Sequence, residues 1–312
     1  MASEAVHLVA PHLFYSDEHL TAGFTRAPIT PYHAVVDIRD TTPFRARETS
    51  SFIGIMLKVR RLSIVLSAVS NARRCALVFD GATRISLIPL HGLGEKWKPV
   101  THETVEYHAT FPGFISSKKG PKLSDADLDA TREIITAVSG LTEPLSLTFL
   151  GPESDQNLFA RIIRGELPSW KVWEDVSNVA FLTPFANTPG YTVLVPRKHL
   201  SSDIFLLSNQ DYSNMLCAAH TCMKILTQTF NVSQCGFIFE GFEIDYAHIK
   251  LIPIHKSPTD DDSSSQISNH ADFQMLYSGY VTSQPGPLLG DLRFILDATN
   301  AMHEALKHDG PI

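Results

Sequence analysis

The sequence predicts an α+β fold written twice, each copy an antiparallel sheet with helices on one face. Three observations carry that prediction. Residues 75–91 (CALVFDGATRISLIPLH) and 235–255 (CGFIFEGFEIDYAHIKLIPIH) share a Cys, an apolar run, an acidic residue with Gly, and an alternating run closing on Leu-Ile-Pro-x-His. The pairing extends outward in order. Thr30-Pro31 and VVDI match Thr188-Pro189 and YTVLV, and FPGFISSKKGP (111–121) matches YSGYVTSQPGP (277–287), the offset staying between 158 and 166 residues. Finally, apolar residues alternate through the short runs and recur at helical spacing through the long ones.

In the first copy the pattern gives a strand at 34–38, a helix at about 52–70, strands near 75–79 and 84–88, and a final helix near 124–138. In the second it gives a strand at 191–195, a helix at about 209–229, strands near 235–239 and 246–252, and a final helix near 290–306. Ser124 with Asp127 and Ser208 with Asp211 have the Ser-x-x-acid spacing of an N-terminal cap, with Asp in place of the preferred Glu. The join falls near 140–155, dividing the chain into 1–150 and 151–312. The polar, Ser-rich stretch 256–270 reads as a mobile loop that overhangs whatever the preceding strand displays.

Composition removes several functions. Of 312 residues, 44% are apolar and 19% charged, with a net charge of −7 and no dense Lys/Arg run. That balance disfavours electrostatic binding to nucleic acid or to an anionic membrane. No apolar run approaches the roughly 18 residues a membrane span requires. The opening MASEAVHLVAPHLF lacks the basic start, apolar run and cleavage site of a signal peptide, so a cytoplasmic location is expected. Without a secretory signal, the glycosylation match Asn231-Val232-Ser233 reads as empty. Cys75 and Cys235 recur in both copies and suit strand packing, while Cys217 and Cys222 sit five apart on a helix and make no ligand pair. No motif requires a metal or a cofactor.

The chemistry concentrates in Tyr246-Ala247-His248-Ile249-Lys250-Leu251-Ile252-Pro253. On a strand, successive side chains alternate faces, so Tyr246, His248 and Lys250 line one face and Ala247, Ile249 and Leu251 pack behind them. On pattern alone this is either a polar catalytic row or a wet outer face. His255 and His91 recur at the same place in both copies, which favours a structural role.

The surroundings of that row resemble the histidine triad (HIT) superfamily. From Asn157 the chain reads NLFARIIRGELPSWKVWEDVSNVAFLTPFANTPGYTVLVPRKH. It has the Phe-x-x-Ile-Ile-x-Gly-Glu-x-Pro opening, a Glu-Asp pair, Ala-Phe-Leu, Thr-Pro-Gly and Pro-x-x-His. The likeness resumes at 235–253, where the family writes His-φ-His-φ-His-φ-φ with φ apolar. It implies two HIT-like domains packed as an intramolecular pseudo-dimer, and a chain consistent with a monomer. It also implies a small-molecule nucleotide or phosphorylated ligand as partner. The family's nucleophile on the α-phosphorus of a nucleotide corresponds to His248, and its phosphate-contacting third histidine to Lys250. Neutral imidazole suits nucleophilic attack near pH 7, and an adjacent Lys favours that neutral form and stabilises phosphoryl charge.

Three positions depart from the family pattern. Tyr246 replaces the first histidine, Tyr191 the supporting histidine of Gly-His, and Thr183 the acidic residue that binds ribose in relatives. Tyrosine donates a hydrogen bond but, with a pKa of about 10, relays protons less readily than histidine. His199 and Lys198 lie in a basic segment that resembles one in relatives, giving either a phosphate-facing role or a solvated turn. In the N-terminal copy Arg84 falls opposite His248 and Ser86 opposite Lys250; arginine is no nucleophile, so that half is expected to be non-catalytic. The resemblance thus implies a nucleotide hydrolase or nucleotidyl transferase working through a nucleotidyl-His248 intermediate, with Lys250 and Tyr246 assisting and Tyr191, Thr183, His199 and Lys198 contacting substrate. Two alternatives stand beside it: a nucleotide-binding regulatory protein without turnover, and an enzyme for a non-nucleotide metabolite using His248 as general acid/base.

Overall fold

A computed structural model describes residues 12–42, 46–256 and 270–308. The expected overhanging stretch falls mostly on 257–269, and the opening segment weighed for a signal peptide mostly on 1–11, outside the described residues. In chain order the strands are β1 (Leu13–Ser16), β2 (Leu20–Phe24), β3 (Ala34–Ile38), β4 (Cys75–Phe79), β5 (Arg84–Pro89), β6 (Trp170–Glu174), β7 (Asn178–Leu182), β8 (Thr192–Pro196), β9 (Cys235–Phe239) and β10 (Ile249–Pro253). The helices are α1 (Thr49–Val69), α2 (Asp125–Ser139), α3 (Leu158–Ile163), α4 (Asn209–Thr229) and α5 (Arg293–His308).

The short alternating runs pair into one antiparallel sheet of ten strands, ordered β1-β2-β3-β5-β4-β9-β10-β8-β7-β6. The order reads the same from either edge when copies are exchanged. The central pairing is symmetric too: Leu77 faces Phe239, Val78 faces Ile238 and Phe79 faces Phe237. One face carries α1, α2, α4 and α5 over a core that includes Ala247, Ile249 and Leu251. The other face carries α3 and long irregular segments over a second core that includes Phe159, Tyr246 and Ile252. The α+β, antiparallel expectation therefore holds, and the period-two alternation of residues 246–252 is real.

Local signals explain most boundaries. Ser124 and Ser208 accept from the backbone N–H groups of Asp127 and Asp211, capping α2 and α4 as their spacing predicted. Strand β10 begins at Ile249 rather than at 246, which corrects the sequence reading. The reason is hydrogen bonding: Ala247 N donates to Leu200 O and Tyr246 N to Ile244 O, so these residues leave the ladder before it starts. Strands β1, β2, β6 and β7 and helix α3 had no sequence assignment. His91 and His255 do the same structural job in each half, bonding the carbonyls of Pro31 and Pro189 through Nε2.

The two halves are laced together beyond the sheet. Helix α2 packs on β6 and α4, whereas α5 packs on α1, β1 and β2, so each final helix lies against the other half. The repeated segments 111–121 and 277–287 cross in the same way. Ser117 N donates to Val281 O and Ser283 N to Ile115 O, each serine hydroxyl also accepting from the opposite strand's Val281 or Ile115 N–H. Gly120 and Gly286 mark where each segment passes the other half's backbone: a Cβ would strike the Ala186 and Pro28 carbonyls respectively. Among the described residues, no helix is long and apolar enough to cross a membrane.

Phe237 sits at the centre of this seam, buried and packed against Phe52, Phe79 and Phe239. Phe237→Ala should cost about 3–5 kcal/mol, the usual loss for a buried aromatic. Because the core and the crossings are shared, wild type and variant should each unfold in one urea transition; two separable transitions would contradict the lacing.

Candidate active site

His248 and Lys250 reach the sheet face opposite the long helices, beneath a cavity of about 510 Å³. One wall is apolar, built by Phe159 and Ile162 of α3 with Trp170, Phe181 and Phe185. The other is polar: His248, Lys250 and Glu243 from the C-terminal half, and Ser117, Lys118 and Lys119 from the crossing segment of the N-terminal half. A cleft of similar size, about 550 Å³, lies beside Arg74, Asp203 and Cys75. Burial pushes the Cys75 thiol up to about 12, so it offers no thiolate nucleophile.

His248 is buried, with its ring edge-on to Phe159 at 5.4 Å between centroids. Its Nδ1 lies 2.7 Å from the Tyr246 carbonyl. A carbonyl only accepts, so Nδ1 carries the proton and Nε2 keeps its lone pair. Burial, followed by the charge of Lys250, lowers His248 to about 4. The ring is therefore neutral at pH 7, with one tautomer selected by the backbone.

Lys250 Nζ donates to Glu240 Oε2 at 3.1 Å, Glu243 Oε2 at 3.4 Å and Ser117 O at 3.4 Å. Burial alone would lower its ammonium, but Glu240, the Tyr191 phenol and Glu243 outweigh that and hold it well above the ordinary lysine value. Glu240 is itself buried and accepts from the Tyr277 hydroxyl. Burial would raise Glu243, yet Lys250, Lys119 and His248 bring it below the usual carboxylate range. Asn187 fastens the crossing segment over the site: its Nδ2 donates to Ser116 O at 3.0 Å and Lys118 O at 2.9 Å.

Four of the seven residues named from the sequence meet in this cavity: His248, Lys250, Tyr191 and Thr183. Burial raises the Tyr191 phenol, keeping it neutral beside Lys250. Thr183 is at the rim, its hydroxyl accepting from Phe185 N at 3.2 Å. The other three do not line the cavity. The Tyr246 hydroxyl donates to Pro196 O at 2.7 Å, its ring stacked on His199 at 4.6 Å. His199 bridges Asp155 at 2.8 Å and the Asp245 carbonyl at 2.7 Å, and Lys198 pairs with Asp211 at 2.8 Å. Both stand in ion pairs on a partly exposed turn outside the cavity, which favours the solvated turn over the phosphate-facing role.

Sequence reasoning missed Glu240, Glu243, Asn187 and the two lysines of the crossing segment. A signal for the lysines existed. The repeated motif reads SSKKGP in the N-terminal copy and TSQPGP in the copy that bears His248. The basic version belongs to the segment that reaches the cavity of His248. In the N-terminal half, Arg84 occupies the place opposite His248 and forms a two-pronged pair with Asp37 at 2.8 and 3.1 Å.

No family model matches the sequence. An uncharacterized 13.1 kDa HIT-like protein of Mesomycoplasma hyorhinis is 30% identical over 108 residues, which cover 95% of that protein and 32% of this chain. The chain belongs to the HIT superfamily. Another member, adenosine 5'-monophosphoramidase HNT1 of Saccharomyces cerevisiae, is 31% identical over 101 residues, 61% of its own length and 31% of this chain. Among solved structures, a galt-like protein from Arabidopsis thaliana aligns over 92% of this HIT chain and 84% of its own at 9% identity, with a TM-score of 0.45. Among the described residues of this HIT protein, no group of three or more His, Cys, Asp or Glu side chains is placed to hold a metal ion.

Two outcomes check the site's electrostatics. His248 titrates at about 4 in the fold against 6.5 unfolded. Between those values the unfolded chain binds the extra proton, so stability falls as pH drops from 6.5 to 4. His33, lowered to about 3 by burial and then by Arg84, acts in the same direction. His248→Gln should therefore flatten, without abolishing, the decline in unfolding free energy across that window; an unchanged slope would mean the folded ring is charged. Tyr246→Phe removes the bond to Pro196 and should cost about 1–2 kcal/mol in urea melts. Because the Tyr246 carbonyl remains, the His248 imidazole should keep its Nδ1–H tautomer by nitrogen-15 NMR.

Proposed function

We propose that this HIT protein cleaves or transfers at the α-phosphorus of a nucleotide conjugate, with His248 as nucleophile. The observation that carries the reading is the His248 ring: neutral, with its Nδ1 proton donated to the Tyr246 carbonyl and its Nε2 lone pair free, in a cavity shared with Lys250. Attack forms an Nε2–phosphorus bond, and the bond to the leaving group breaks with its electron pair, the leaving group taking a proton from water. The ring becomes cationic, and the Tyr246 carbonyl dipole already faces its Nδ1–H. Lys250 stabilises charge on the phosphoryl oxygens. Water or another acceptor then attacks phosphorus, breaking the P–N bond and restoring neutral His248, and the proton that the attacking oxygen loses neutralises the hydroxide left by the first step. An imidazole of low basicity leaves readily, which favours this second step. The name of the yeast relative, an adenosine 5'-monophosphoramidase, supports the substrate class.

We further propose that the chain is a pseudo-dimer of HIT-like domains 1–150 and 151–312, that it works as a monomer, and that the N-terminal domain is non-catalytic. The symmetric β4–β9 pairing and the Arg84–Asp37 ion pair support these readings. A second reading, a nucleotide-binding regulator, has its own support: the Tyr246 hydroxyl is committed to Pro196 and is not available to protonate a leaving group.

Incubation with adenosine phosphoramidate and a dinucleoside polyphosphate, followed by mass analysis, separates the two. The nucleophile reading expects a nucleotidyl adduct on wild type, none on His248→Ala, and product release lost in that variant. Calorimetric nucleotide binding without adduct or turnover at high protein concentration would favour the regulator instead.

A further inference from the structure

Lys250 and Lys119 come from opposite halves of the chain, and one carboxylate joins them. Glu243 accepts from Lys119 Nζ through Oε1 at 3.0 Å and from Lys250 Nζ through Oε2 at 3.4 Å. Two oxygens of one anion, each facing an ammonium, form the arrangement that two non-bridging phosphate oxygens would make. The carboxylate also lies near His248 and lines the same cavity.

The groups around Glu243 differ in freedom. Its side chain is 30% exposed and that of Lys119 38%, whereas Glu240 is 3% exposed and tied to Tyr277. Glu243 lies in irregular chain between Gly241 and the start of β10, so its side chain can swing out without breaking a ladder. If it does, Lys250 still has Glu240, and only Lys119 loses its carboxylate. Lys118 is not equivalent: it faces Glu106 at 3.8 Å and the Tyr280 ring at 4.2 Å.

We propose that Glu243 holds the place of a substrate phosphate, which displaces it and is then gripped by Lys250 of its own half and Lys119 of the other. Lys119 is thus a phosphate-binding residue supplied across the seam, and the site selects ligands bearing an anionic phosphate with two free oxygens. This rests on the phosphorus reading of the same cavity but needs no turnover. A neutral ligand could not replace the carboxylate without leaving the Lys119 ammonium in the cavity with no anion to face and Lys250 with Glu240 alone.

Calorimetry of the full-length chain with inorganic phosphate tests the exchange. Glu243→Gln removes the competing charge and should bind phosphate about tenfold more tightly than wild type, the scale of one charged contact. Lys119→Met should bind about tenfold more weakly, with Lys119→Arg restoring most of the loss. Tighter binding by Glu243→Gln cannot arise from damaged folding, which keeps the test valid if Lys119→Met is unstable. Equal or weaker binding by Glu243→Gln overturns the proposal, as does wild-type affinity in Lys119→Met. Adduct formation at His248 is read separately. Phosphate affinities in the expected order with no adduct would remove the covalent mechanism and leave the exchange standing; adduct formation with unchanged affinities would do the reverse.

Discussion

The pairing of β4 with β9 is the constraint on which the rest of the molecule depends. Each half ends its five strands on a fully buried strand, and such an edge left open presents unpaired N–H and C=O groups. Joining the two edges antiparallel satisfies both and places Phe79, Phe237 and Phe239 in one aromatic cluster. It also makes the strand order the same read from either edge, with segments from each side of the seam lying against the other. Those segments are the crossings of 111–121 and 277–287 and the helices α2 and α5.

The candidate site inherits this geometry. His248 and Lys250 stand on one half, but the cavity above them is closed by Ser117, Lys118 and Lys119 of the other. The charges interlock across the seam: Glu240 and Glu243 hold Lys250, and Glu243 also holds Lys119. With Lys250 kept charged and His248 kept neutral, a buried ammonium and a lone-pair nitrogen coexist in one small space. Each state supports the other, since the Lys250 charge is among the causes that keep His248 unprotonated.

Much of this was legible in the sequence, for physical reasons. Alternation along 246–252 is a local property, and it placed His248 and Lys250 on the face opposite Ala247, Ile249 and Leu251 although the ladder itself starts only at Ile249. The Ser124 and Ser208 caps are contacts over three residues and were equally visible. Strands β1 and β6 were not, being short edge strands with a register shift in each pairing. Tyr246 shows the limit of reasoning from faces. It lies on the same side as His248, yet its hydroxyl turns to Pro196 and its backbone carbonyl, not its phenol, bonds the nucleophile candidate.

By itself, then, the sequence determined that one ordered pattern of motifs recurs at an offset of 158 to 166 residues, that only its second occurrence has a histidine in the polar row, and that a lysine stands two residues beyond it. These are matters of repeat and period, which short stretches of chain carry within themselves. Only the tertiary structure decided that Lys119 of the first copy serves the second, that Glu243 bridges it to Lys250, and that Lys198 and His199 stay outside. Those outcomes depend on which segment crosses the seam and where it lands, and no local pattern records a contact between residues so far apart.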